Sequence, residues 1–85
     1  MSLLFDDLSE DNLTFAAGFA SADVSCTASR GLAVVTCIDS RIEPLRMLGL
    51  KLGDAKIIRN AGARITDDAL RSMILATNLL GVNRI

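Results

Sequence analysis

The chain has 85 residues and a mass of 9.0 kDa, so it can form at most one small domain. Hydrophobic residues make up 51% of it and charged residues 22%, which excludes a disordered tail or a low-complexity linker. Nine basic against ten acidic residues give a net charge of -1, so nucleic acid is not expected as a partner, and the lack of histidine excludes a self-sufficient Ser/His/Asp or Cys/His site.

The amino-terminal segment carries Asp6 and Asp7 where a secretory or transit peptide would carry basic residues. The apolar runs are shorter than the roughly 18 residues that a membrane-spanning helix needs. Cys26 and Cys37 are too few to indicate a disulfide framework. We therefore expect a cytoplasmic protein with no membrane partner.

The first predicted element is a short amphipathic helix from Ser9 to Phe19, with Ser9 as its N-cap. Residues 20–31 are small and polar and predict a surface connector. Residues 32–38 are continuously apolar or β-branched, which favours a strand buried on both faces, as in a parallel sheet.

The next predicted helix begins near Pro44 and is stopped by Gly49, and residues 55–59 predict a second strand. Thr66 is placed to cap a further helix. Its predicted apolar face consists of Leu70, Met73, Ile74 and Leu80. With a third strand starting at residues 82–85, the order predicts an open α/β fold with a parallel sheet and right-handed crossovers.

Ligands bind at the carboxyl ends of the strands in such sheets, which directs attention to Cys37, Asp39 and Arg41. If the chain stays extended past Cys37, these side chains point the same way and place a thiol, a carboxylate and a guanidinium in one pocket. Thiolate and carboxylate are zinc ligands, and an arginine can pair with the carboxylate. The alternative is a small buried cysteine followed by a helix cap and a surface ion pair.

Residues 34–41 (VVTCIDSR), followed by Gly53-Asp54-Ala55 and by residues 59–62 (RNAG), closely resemble the β-class carbonic anhydrases. The resemblance covers residues 13–85 and implies the family's α/β fold, a mostly parallel sheet flanked by helices with an amino-terminal helical arm. It implies that Cys37 is a zinc ligand and that Asp39 and Arg41 form the paired dyad of the active site. In some members the aspartate matching Asp39 is itself a zinc ligand in a resting form. Asn60, Ala61 and Gly62 would line the pocket.

The family's other zinc ligands lie in an H-x-x-C motif after the third strand, which this sequence does not contain. Cys26 is not expected to replace them, because it lies in the connector. We therefore interpret residues 1–85 as the amino-terminal portion of one carbonic anhydrase domain, with residues 1–31 as arm and connector and residues 32–85 as the start of the α/β unit.

The expected activity of the whole protein is zinc-dependent, reversible hydration of carbon dioxide to bicarbonate, in a homodimer or larger homo-oligomer; the 85 residues alone are expected to be inactive. Two alternatives stay open. One is a related zinc hydrolase acting on another small heterocumulene such as carbon disulfide. The other is a non-catalytic dimerisation module, which would use the arm and an unpaired sheet edge.

Overall fold

The structure is a computed structural model that describes residues 3–85. Its helices and strands follow one another as α1 (Asp6–Gly18), β1 (Leu32–Cys37), α2 (Pro44–Met47), β2 (Ala55–Asn60) and α3 (Asp67–Leu79). This order of helix, strand, helix, strand and helix is the one predicted from the sequence.

The two strands form a parallel sheet whose register runs from Leu32 opposite Ala55 to Cys37 opposite Asn60. Leu32 also forms a parallel bridge with Arg84, and the Ala33 N–H donates to the Arg84 carbonyl at 2.9 Å. The segment around Arg84 therefore lies along the edge of β1 that β2 leaves free. The α/β fold with a parallel sheet is confirmed.

The α1 helix begins at Asp6, so the prediction that Ser9 caps it is wrong. The N-cap is Phe5, which forms no side-chain cap hydrogen bond, and the Ser9 N–H donates to the Phe5 carbonyl at 2.9 Å inside the helix. Asp6 and Asp7 in the first turn favour this earlier start, because their charges interact well with the positive end of the helix dipole. No residue of α1 is buried.

The core is small and consists of short side chains. Ala28, Ala33, Ala76 and Val82 form its buried cluster. Ala33 is the buried residue of β1 and the others are half-buried, so the predicted burial of this strand on both faces is wrong for residues 32–37. The sheet has two full strands here, and too few elements pack on it to cover both faces.

The Thr66 cap of α3 is confirmed, since its Oγ1 accepts from the Ala69 N–H at 3.2 Å. The predicted apolar face is wrong in part: Met73 is buried, but Leu70 and Ile74 are about half exposed and Leu80 is the C-cap. Beside Met73, the helix buries Ala69 and Ala76. Alanine allows the helix backbone to approach its neighbours closely, and this turns the larger side chains outward.

Within residues 3–85, no helix combines the length and the apolar character that crossing a membrane requires.

Candidate active site

The candidate site lies where β1 and β2 end side by side. Cys37 and Asn60 are the last residues of the two strands and are partners in the parallel register. The Ile38 N–H donates to the Asn60 carbonyl at 3.2 Å and continues the pairing one step further. Partners in a register point to the same face, so the side chains of Cys37 and Asn60 lie on one side of the sheet.

The Cys37 thiol is half-buried and accepts a hydrogen bond from the Gly62 N–H, with 3.4 Å between nitrogen and sulfur. This bond is the largest cause of a lowered pKa at Cys37, followed by the backbone N–H of Asp39. Desolvation and the negative charge of Asp39 oppose the shift but do not cancel it. The site thus favours a thiolate, the form of cysteine that binds metal ions.

The loop after β2 is held by the Asn60 side chain. Its Nδ2 donates to the Arg64 carbonyl and its Oδ1 accepts from the Arg64 N–H, both at 2.7 Å. Gly62 and Ala63 between them have positive φ angles of 87° and 55°. This compact turn directs the Gly62 N–H toward Cys37, and glycine adopts such a φ without steric cost.

Asp39 and Arg41 form a two-point ion pair beside the cysteine. Arg41 Nε donates to Asp39 Oδ1 at 3.0 Å and Nη2 donates to Oδ2 at 2.6 Å. The Arg41 backbone N–H donates to the same Oδ1 at 2.9 Å. The Arg41 guanidinium lowers the pKa of the Asp39 carboxyl, and Asp39 in turn raises the pKa of Arg41.

This pair lies at the surface of the described chain. The side chain of Asp39 is 30% exposed and that of Arg41 is 88% exposed. Arg41 therefore lies at the surface, as the alternative interpretation of a surface ion pair predicts. The side chain of Asp39 is more buried than that of Arg41. Sequence reasoning placed both residues beside Cys37. The structure brings Asp39 close enough to act on the pKa of Cys37, and it pairs Arg41 with Asp39.

Sequence reasoning included Arg59 in the segment of residues 59–62 but assigned it no role. Its Nε donates to the Cys37 carbonyl at 2.9 Å, and its Nη2 donates to the carbonyls of Asp39 at 2.9 Å and Ile42 at 3.1 Å. A basic residue at the end of a strand gives no sequence signal for such contacts, because the acceptors are backbone atoms about 20 residues away.

Metal ligands are incomplete in the described chain. No group of three or more His, Cys, Asp or Glu side chains within residues 3–85 could hold a metal ion. Cys26 is exposed in the connector, where its carbonyl accepts from Lys56 Nζ. Cys37 fits zinc by its chemistry, as a partly buried thiol whose lowered pKa favours the thiolate, and it can supply one ligand.

Comparison with known proteins agrees with the resemblance seen in the sequence. The sequence pattern of a family described as carbonic anhydrase matches residues 32–85. The chain is 41% identical over 80 residues to "Beta-carbonic anhydrase 1" of Mycobacterium tuberculosis, covering 94% of this chain and 48% of that protein.

A second kind of relative is also present. "Carbon disulfide hydrolase" of an Acidianus species is 47% identical over 57 residues, covering 67% of this chain and 28% of that protein. Among solved structures, a carbonic anhydrase from Streptococcus mutans superposes with a TM-score of 0.87 at 38% identity, covering 96% of this chain and 49% of the other. The chain spans about half the length of the mycobacterial carbonic anhydrases that it matches.

Proposed function

The chain belongs to the β-carbonic anhydrase family, and on this premise we propose that the whole protein reversibly hydrates carbon dioxide to bicarbonate and a proton, with zinc as its cofactor. The observation that carries the proposal is the arrangement at the end of β1. There, a thiol with a lowered pKa lies beside a carboxylate that an arginine holds in a two-point pair.

Cys37 would be one ligand of the zinc ion. The 85 residues contain no histidine, so they do not supply the histidine ligand that the family uses. Zinc, when bound, supplies a Lewis acid that lowers the pKa of its water ligand to about 7, as it does in other carbonic anhydrases and in metalloproteases. The Gly62 N–H stabilises the thiolate form of Cys37 and orients its sulfur.

Asp39 would accept a hydrogen bond from the attacking water and direct a lone pair of that oxygen toward the carbon of carbon dioxide. The pairing with Arg41 keeps Asp39 ionised for this role, since it holds the pKa of the carboxyl below its ordinary value. The same pairing supports an arrangement in which Arg41 restrains Asp39, rather than the resting form in which Asp39 binds zinc.

Asn60, Ala61 and Gly62 would line the pocket. Asn60 acts mainly by closing its own loop, because both ends of its amide are bonded to the Arg64 backbone. Gly62 contributes its N–H to Cys37.

Hydrolysis of carbon disulfide is the second candidate function. It is favoured by relatives of that name, one of them 47% identical over 57 residues. The two substrates are linear heterocumulenes of similar shape, and the residues described here can orient a water molecule toward the central carbon of either. Assays of the whole protein with both substrates distinguish the two functions, and activity on carbon disulfide alone would reject carbon dioxide hydration.

The zinc assignment is tested by replacing Cys37 in the whole protein. Cys37→Ser is expected to lose most of the bound zinc, because a hydroxyl is a far poorer ligand than a thiolate. Cys26→Ser is the matched control, and should retain the wild-type zinc content since Cys26 is exposed in the connector. Unchanged zinc in Cys37→Ser, measured by metal analysis, would reject the assignment.

The dyad is tested by Asp39→Asn, which keeps the shape of the side chain and removes its charge. We expect zinc content to be retained and kcat for carbon dioxide hydration to fall by about a hundredfold or more. Asp23→Asn, in the exposed connector, is the control and should behave as wild type. Full activity of Asp39→Asn would show that the carboxylate has no role in the reaction.

A further inference from the structure

The side chain of Arg59 leaves β2 on the face opposite to that of Asn60. Arg59 is the next-to-last residue of β2 and is paired in register with Thr36. Because side chains alternate along a strand, Arg59 points away from the face that carries Cys37 and Asn60. Its guanidinium nevertheless reaches the segment after β1, where its charge also helps to lower the pKa of Asp39.

The guanidinium of Arg59 donates hydrogen bonds to three backbone carbonyls between the end of β1 and the start of α2. Its Nε donates to Cys37 at 2.9 Å, and its Nη2 donates to Asp39 at 2.9 Å and to Ile42 at 3.1 Å. The three acceptors begin at the last residue of β1 and end two residues before α2. Since a guanidinium is planar and its donors have fixed directions, the carbonyls can meet it together only when the segment is curled around it.

We propose that Arg59 is a positioning residue that fixes the segment of residues 38–43, so that Asp39 and Arg41 stay paired beside Cys37. This inference rests on the proposed function, because the pairing of Asp39 with Arg41 is assigned there to carbon dioxide hydration. The two loops of the site are then held by neighbouring side chains of β2, one by the Arg59 guanidinium and the other by the Asn60 amide on Arg64.

Arg84 provides a matched control for a purely structural role. Its Nε and Nη2 donate to the Arg30 carbonyl at 3.3 and 3.0 Å, next to the amino end of β1. Arg59 and Arg84 thus make the same kind of contact at opposite ends of the strand. If arginine-to-carbonyl bonds only stabilise the fold, replacing either residue should have the same effect on the reaction.

The test compares Arg59→Lys with Arg84→Lys in the whole, zinc-loaded protein. Lysine keeps the charge but cannot reach three carbonyls with a planar fork of donors. For Arg59→Lys we expect kcat for carbon dioxide to fall about 10-fold to 100-fold, with the KM and zinc content unchanged. For Arg84→Lys we expect wild-type kcat. Equal kcat values in the two variants would overturn the proposal.

A second measurement needs neither zinc nor activity. In the zinc-free whole protein, amide hydrogen exchange reports on Arg41, whose N–H donates to Asp39 Oδ1, and on Ile42, whose N–H donates to the Asp39 carbonyl at 3.0 Å. Arg59→Lys should speed exchange at both amides and leave the amides of β1 protected. Wild-type exchange rates at Arg41 and Ile42 would overturn the proposal.

Should Arg59→Lys fail to fold, the wild-type protein still decides the matter. The Arg59 Nε–H, bonded to the Cys37 carbonyl, should exchange with water far more slowly than that of the exposed Arg71, and equal rates would overturn the proposal. Failure of the proposed function would give a different result. The wild-type protein would then not hydrate carbon dioxide, but amide exchange at Arg41 and Ile42 would still be faster in Arg59→Lys.

Discussion

At the scale of single residues, Asp54 connects segments that are far apart in the sequence. Its Oδ1 accepts from Ser29 Oγ at 2.7 Å and its Oδ2 from the Lys51 N–H at 2.8 Å. The Lys51 N–H is the largest cause of a lowered pKa at Asp54, and the Ser29 hydroxyl is the next. Asp54 thus joins the connector to the turn before β2.

The lowered pKa of Asp54 predicts the direction of a pH effect on stability. A carboxyl whose folded pKa lies below its unfolded value, about 3.9 for aspartate, stabilises the fold above that value. This contribution is lost as the pH falls through the folded pKa. We therefore expect the urea midpoint of Asp54→Asn in the whole protein to fall less than that of wild type between about pH 6 and about pH 3.

Asp23→Asn is the control for this measurement, because it removes an exposed carboxylate of the connector. Its midpoint should follow the wild-type pH dependence, which separates the hydrogen bonds of Asp54 from the general effect of one lost charge. An Asp54→Asn midpoint that also follows the wild-type curve would show that these hydrogen bonds do not stabilise the folded state.

The local part of the site could be predicted from the sequence, and the distant part could not. The period of a strand places Cys37 and Asp39 at one sheet end, and the two-residue separation of Asp39 and Arg41 makes their pairing a local event. Arg59 donates to backbone carbonyls about 20 residues away. Every residue has such a carbonyl, so the sequence does not indicate which ones accept. Only the register of β1 with β2, which the sequence does not state, brings Arg59 to these carbonyls.

At the scale of elements, the start of α3 depends on Thr66. Its side chain caps the helix, and Asp67 and Asp68 occupy the first turn. We expect Thr66→Ala to lower the free energy of unfolding of the whole protein by about 1 kcal/mol, because the Ala69 N–H loses its acceptor.

Thr66→Ser is the matched variant, since it retains the hydroxyl that accepts this bond and should keep most of the stability. Denaturant unfolding of the two variants beside wild type measures the difference. If Thr66→Ser were as unstable as Thr66→Ala, the methyl group of threonine and not its hydroxyl would be the stabilising part.

The types and order of the helices and strands could be predicted from the sequence, whereas the residues that they bury could not. Pro44, Gly49 and Thr66 mark helix ends by local conformational preferences, and the structure keeps all three. The Ser9 cap, predicted from the same kind of preference, is not kept. Which face of α3 is buried depends on how closely the helix approaches the sheet. Ala69 and Ala76 carry that contact, although a ranking by hydrophobicity favours Leu70 and Ile74.

At the scale of the whole molecule, the chain exposes more surface than a monomer of its mass. Its accessible surface is 6577 Å², about a third larger than the roughly 4,900 Å² expected for a folded 9.0 kDa protein. Its radius of gyration is 15.3 Å, compared with about 12 Å for a compact chain of this length. The excess surface is larger than the area of about 800 Å² that each partner contributes to a standard protein interface.

Much of this surface is apolar. On α1, Leu8 and Phe15 are 58% and 62% exposed, and on α3, Ile74 and Leu79 are 52% and 71% exposed. Large apolar patches of this kind are covered in stable proteins. A homodimer or larger homo-oligomer, expected for the whole protein from its family resemblance, is one way to cover them.

The 85-residue polypeptide on its own is therefore expected to associate. Light scattering after size exclusion should give a mass well above 9.0 kDa, and a dye that binds apolar surface should fluoresce strongly.

The double variant Leu8→Glu with Phe15→Glu should shift the mass toward the monomer, because charge on this face of α1 opposes its burial. Ser9→Glu with Thr14→Glu adds the same charge at polar positions of α1 and should leave association unchanged. A monomeric wild-type polypeptide that binds no dye would contradict the expectation, and equal effects of the two double variants would assign association to net charge instead of the apolar face.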